Sequence, residues 1–168
     1  MDAEDANQVP EARPPLLEDL LTLCRNLNGE GARYVVIGGM AVIQAGFGRA
    51  TNDIDLLIDI SPDNQDRVRR ALMTLPDQAV RDMTADDLEK YAVVRVADEI
   101  VVDLMKSAGG MTYPEASQMT NEVEIEAVRI PFANARLLWL TKNTLRASDK
   151  MDRVFLARLL ADRGEPVE

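Results

Sequence analysis

The spacing of apolar residues in this sequence predicts an α/β (α+β) fold, a mixed β-sheet flanked by helices with a helical pair at the C-terminus. Short β-branched and aliphatic runs alternate with stretches of helical periodicity. Gly38-Gly39, Gly46, Gly48 and Ser61-Pro62 punctuate the runs where turns are needed. Both closing segments, Asn134–Arg146 and Ser148–Asp162, read as helices.

Taken in order, residues 1–14 are charged and proline-rich and read as a flexible N-terminal tail, and residues 15–168 as a single domain. Leu16, Leu20, Leu23, Cys24 and Leu27 form a helical stripe after Pro14-Pro15, closed by Asn28-Gly29. Arg33 to Ile37 reads as a buried strand and Met40 to Ala45 as a short helix. Asp53 to Ile60 is the next strand, and Ser61-Pro62 opens a helix to about Met73. Thr84 to Lys90 reads as a short helix with acids in its first turn. Tyr91 to Ala97 and Ile100 to Met105 pair as a hairpin through Asp98-Glu99. Residues 107–121 read as irregular, with a short helix near Pro114 to Met119. From Glu122 to Ile130 the alternation of Val123, Ile125 and Ala127 with acids predicts one strand with a wet face.

With 168 residues the chain is long enough for one ordinary core. Its apolar content, 46%, is mostly aliphatic, with three Phe, three Tyr and one Trp, so a stacking platform for single-stranded nucleic acid is poorly supported. The net charge of −10 makes non-specific DNA binding by phosphate neutralisation an unfavourable role. One cysteine excludes an intrachain disulfide, and Cys24 falls on an apolar helical stripe where it reads as core. The absence of histidine excludes His-ligated zinc and His-based triads. No apolar run reaches the ~20 residues of a membrane span, and the acidic N-terminus lacks signal-peptide character. A cytoplasmic protein is expected.

The chemistry concentrates between Val35 and Asp103. Asp53 and Asp55, two apart on a strand, send both carboxylates from the same sheet face. Like charges held that close call for a positive partner, and a hard divalent ion would supply it. Gly38-Gly39 lies between a strand and a helix, where backbone N–H groups favour an anion; the alternative is a tight turn with no ligand. Asp103, inside the apolar run Ile100 to Met105, needs either a metal or a salt bridge with an arginine such as Arg95. A P-loop and a dinucleotide fingerprint are both missing.

Gly38-Gly39, Arg49-x-Thr51-x-Asp53-x-Asp55 and a following strand bearing Asp103 resemble the nucleotidyltransferase superfamily, over roughly residues 33–105. The likeness is greatest to small bacterial toxin–antitoxin and abortive-infection members. It implies transfer of a nucleoside monophosphate from a nucleoside triphosphate to an acceptor hydroxyl, with two Mg²⁺ ions. By position, Asp53, Asp55 and Asp103 inherit the metal and catalytic roles, and Gly38 and Gly39 the phosphate turn. Arg49 and Thr51 become phosphate neighbours. Many members carry Gly-Ser at the glycine pair, whereas Gly39 supplies no hydroxyl.

Lys142, Arg146, Asp149 and Asp152 also fit a pattern that follows the catalytic region in this group. Lys142 and Arg146 are expected one helical turn apart, gripping a triphosphate tail. The competing reading gives Ser148, Asp149 and Asp152 a helix-capping role, with Lys142 paired to one of the acids. As a surface residue, Lys142 is expected to contribute little to stability. Phe155, Leu156, Leu159 and Leu160 read as the apolar face of the last helix. An RNA end, a small-molecule hydroxyl or a protein can all serve as acceptor. The alternative function is a regulatory, antitoxin-type partner that binds or modifies a cognate toxin.

Overall fold

The computed structural model describes residues 12–142 and 147–167, with Ala147 and Ser148 by backbone alone. Helix α1 (Leu17–Gly29) leads into strand β1 (Tyr34–Ile37), helix α2 (Gly38–Gln44) and strand β2 (Asp53–Ile58). Helix α3 (Pro62–Leu72), a 3₁₀ turn (Ala79–Asp82) and helix α4 (Asp87–Lys90) follow. Strands β3 (Val94–Ala97) and β4 (Val101–Met105) precede the small hairpin β5 (Ser107–Ala108) and β6 (Met111–Thr112). Helix α5 (Tyr113–Ala116), strands β7 (Thr120–Ile125) and β8 (Val128–Ala133), and helices α6 (Ala135–Thr141) and α7 (Ala147–Asp162) complete the order.

Helix ends are fixed by side chains the sequence supplies. Asp19 reaches back to the backbone N–H of Leu16 at 2.7 Å and opens α1. Ser61 caps α3 ahead of Pro62, and the Asn134 side chain accepts from the Leu137 N–H at 2.9 Å to open α6. Within the segment expected as tail, Arg13 is pinned to the body, donating to Asp19 at 2.6 and 2.7 Å and to Glu99 at 3.4 Å.

The main sheet has six strands in the order β3-β4-β2-β1-β8-β7. Strand β2 runs antiparallel to β1 and parallel to β4, and β1 runs parallel to β8, so the sheet is mixed as expected. Ile54, Leu56, Ile58, Val102 and Leu104 point to one face and share a core with Leu20, Leu23 and Leu27 of α1 and Val68 and Leu72 of α3. Cys24 is fully buried there, and burial pushes its thiol up to about 12, as an inert core thiol requires. Alternation sends Asp53, Asp55 and Asp103 to the other face.

Three elements depart from expectation. The single strand over Glu122 to Ile130 is two antiparallel strands joined at Glu126 and Ala127, with φ of 49° and 65°. Such a two-residue turn usually advertises itself with Asn or Gly, and Glu-Ala does not. The step from Ile125 to Val128 breaks the two-residue alternation, which is the signal that marks the turn. Helix α6 ends at Thr141, so Lys142 sits at its C-cap and not inside a helix running to Arg146. The irregular stretch after Lys106 contains the β5–β6 hairpin, whose turn at Gly109 lies against the Leu140 carbonyl. Among the described residues no helix is long and apolar enough to cross a membrane.

Candidate metal centre

Strand register assembles the carboxylates. Asp55 and Asp103 are direct partners across the parallel β2–β4 pair, and Asp53 lies one alternation away on the same face. Asp53, Asp55 and Asp103 each offer an oxygen, all within 4.8 Å of one another. Their surroundings grade from part-exposed to buried: the side chain of Asp53 is 23% exposed and that of Asp103 is 7% exposed. An arginine also reaches them. Arg95, the β3 partner of Asp103, donates from Nε to Oδ1 at 2.9 Å and from Nη2 to Oδ2 at 3.0 Å. The same Nη2 lies 3.4 Å from Oδ2 of Asp53. Of the two partners weighed for Asp103, a metal ion and an arginine, Arg95 is in place, and it lies on the same carboxylate cluster that could hold a metal.

Crowding of like charges shows in the protonation of the pair on β2. Burial, then the charges of Asp53 and Asp103, push the Asp55 carboxyl up to about 7, with Lys142 acting in the opposite sense. Asp53 is raised as well, by burial first and by Asp103 second. In metal-free protein the folded state thus keeps a proton on Asp55 that an unfolded chain releases near pH ~4. The stability tied to that proton is complete below the unfolded value and is lost as pH rises through about 7. The metal-free protein is expected to melt higher at about pH 5 than at about pH 8, with a slope of up to ~1.4 kcal/mol per pH unit from this one group. Asp55→Asn should flatten the dependence, and a wild-type melting temperature that rises over the same interval would contradict the assignment.

The glycine turn is built against these acids. Gly38 has a φ of +70°, and the space a Cβ would need is filled by the Asp55 carboxylate. Gly39 is packed against Thr51 Oγ1 and Nη1 of Arg49, so a serine here has no room for its side chain. Thr51 occupies the volume that a serine hydroxyl at this position would need. The Thr51 hydroxyl in turn donates to the Asp53 carbonyl at 3.2 Å, tying the loop to the start of β2.

Lys142 departs from its expected surface position. It is 4% exposed, and its Nζ lies 3.1 Å from both Asp149 Oδ1 and Asp152 Oδ2. Asp152, itself fully buried, holds Arg49 in a two-pronged pair at 2.8 Å through Nε and Nη2. Arg49 also donates to the Ala50 carbonyl at 2.8 Å. A buried network therefore runs from the glycine turn through Arg49, Asp152 and Lys142 to Asp149. Phe155 stacks on Phe47 with centroids 5.0 Å apart, giving the same loop a second, apolar anchor. The sequence offered Asp149 and Asp152 as helix-end charges and as pair partners for Lys142, and the pairing is present. Their role as anchors of the loop was hidden because Arg49 and Asp152 are 103 residues apart. Arg146 lies outside the described residues.

No family model matches the sequence, and no curated protein matches it. Among solved structures, the chain resembles a Thermotoga maritima protein described provisionally as a nucleotidyltransferase, with 19% identity and a TM-score of 0.54. The match covers 88% of this chain and 91% of that one. At that identity the likeness concerns the backbone path. The chain has the nucleotidyltransferase fold.

Proposed function

We propose that the protein is a Mg²⁺-dependent nucleotidyltransferase that moves a nucleoside monophosphate from a nucleoside triphosphate to an acceptor hydroxyl. One observation carries the reading: Asp53, Asp55 and Asp103 converge within 4.8 Å on the sheet face that also holds the glycine turn. The donor set fits Mg²⁺, because carboxylate oxygens are the ligands a hard divalent cation takes and nitrogen or sulfur donors are absent from the cluster. Burial first and the neighbouring carboxylates second raise Asp53 and Asp55, which suits acids gathered at a cation site.

In this reading Asp53, Asp55 and Asp103 hold the metal. Once bound, it neutralises phosphate charge and makes the acceptor hydroxyl more acidic. A bond forms between the acceptor oxygen and the α-phosphorus, the bridging bond to the β-phosphate breaks, and pyrophosphate leaves with its electron pair. Asp103 is the group assigned to receive the acceptor proton. The Gly38-Gly39 amides and the Thr51 hydroxyl border the phosphates, while Arg49 faces them from its anchor on Asp152. Lys142 acts at one remove, by fixing Asp152 and by offsetting the charge of Asp55. Catalysis here is largely positioning and electrostatics.

The test is calorimetric titration with non-hydrolysable analogues of the four nucleoside triphosphates, with Mg²⁺ and with chelator. Binding of at least one analogue that requires Mg²⁺ is expected, and the corresponding natural triphosphate should then give Mg²⁺-dependent pyrophosphate release when RNA, protein and small-hydroxyl acceptors are offered. No Mg²⁺-dependent binding of any analogue would remove the proposal.

A further inference from the structure

We propose that Arg95 sets the metal affinity of the carboxylate centre by serving as its resident cation until a divalent ion displaces it. The inference rests on reading the cluster as a metal centre and adds a competitor built into the chain. Arg95 stands on β3, the outermost strand on that side of the sheet, directly across from Asp103. Its guanidinium engages both oxygens of Asp103, at 2.9 and 3.0 Å, and one oxygen of Asp53, at 3.4 Å. An ion held by Asp53, Asp55 and Asp103 together needs an oxygen from Asp103, and each oxygen there already accepts from Arg95. The ion therefore arrives beside a guanidinium of the same sign of charge and competes with it for Asp103.

The exposures make the exchange physically reasonable. Asp103 is 7% exposed, whereas the Arg95 side chain is 61% exposed and covers the carboxylates from the solvent side. An exposed guanidinium on a flexible stem is screened and hydrated when it swings away, so little is lost on its release. With no metal bound, its presence offsets charge that Asp53, Asp55 and Asp103 otherwise direct at one another. A purely structural ion pair would make the opposite demand, because removing it would loosen Asp103 and weaken any site built on that residue.

Mn²⁺ serves as the probe, with free hexaaqua ion counted by electron paramagnetic resonance on the full chain. Arg95→Gln is expected to bind Mn²⁺ on the order of tenfold tighter than wild type, the size of one partly screened charge-assisted contact. Arg95→Lys, which keeps the charge without the fork, should fall between them. Metal-free Arg95→Gln should melt below wild type and gain more on adding Mn²⁺. Equal or weaker Mn²⁺ binding by Arg95→Gln, in protein whose wild-type binding disappears with Asp55→Asn, overturns this inference alone. Absence of saturable binding in both wild type and Arg95→Gln, or binding that survives Asp55→Asn, overturns the metal-centre reading and this inference with it.

Discussion

Lys142→Ala is expected to cost the protein about 3 kcal/mol of folding stability, at the lower end of what breaking a buried ion pair entails. The substitution removes the positive charge that bridges Asp149 and Asp152, which are 1% and 0% exposed. Asp152 keeps Arg49, which is why the lower end of that range applies. For a chain of 168 residues such a loss corresponds to a fall in melting temperature of roughly 6–12 °C. Thermal or urea unfolding of the purified variant measures it directly. A fall below ~1 kcal/mol, as for an exposed pair, would mean that the network contributes nothing the surrounding packing does not already supply. The result matters for function too, because Arg49 takes its position beside Gly39 from the same Asp152.

Asp55→Asn and Asp53→Asn should each reduce the proposed nucleotidyl transfer on the order of a thousandfold or more, since each removes one of the carboxylates proposed to hold the metal. The same substitutions are expected to leave the fold intact, and Asp55→Asn to stabilise metal-free protein by roughly 1 kcal/mol at about pH 8. The gain should be smaller for Asp53→Asn, because Asp53 already has Arg95 beside it and is more exposed. Pyrophosphate release and melting temperature, measured on the same preparations, read the two effects separately. Full Mg²⁺-dependent nucleotide binding by the double variant would reject the site.

Local chemistry made much of this molecule readable from sequence. The stripe from Leu20 to Leu27, the cap at Ser61-Pro62 and the aliphatic runs in β1 and β4 follow from spacing alone. The face shared by Asp53 and Asp55 does as well, because alternation along a strand is a local property. What spacing does not encode is which strand lies beside which. The pairing of Asp55 with Asp103 needs β4 parallel to β2, and the placement of β8 between β1 and β7 depends on a turn with no turn residues in it. Lys142 shows the same gap: its burial is decided by how α7 folds back on α6, and a lone lysine after a helix gives no sign of that. Arg95 was visible as a partner for Asp103, yet its second contact, with Asp53, exists only once three strands are assembled.

The anchoring of the loop after α2 by Asp152 and Phe155 has a consequence for the order of events at the ribosome. Chains emerge N-terminal end first, and by Met105 every proposed metal carboxylate has been synthesised. Arg49 and Phe47 nonetheless have to wait about a hundred residues for Asp152 and Phe155, and β1 waits almost as long for its partner β8. A nascent chain therefore carries the acids of the centre well before it has the clamp that fixes the loop between the glycine turn and β2. Until α7 docks, that loop has neither its ionic nor its aromatic anchor, and the incomplete polypeptide holds the three proposed metal carboxylates without the finished scaffold around them.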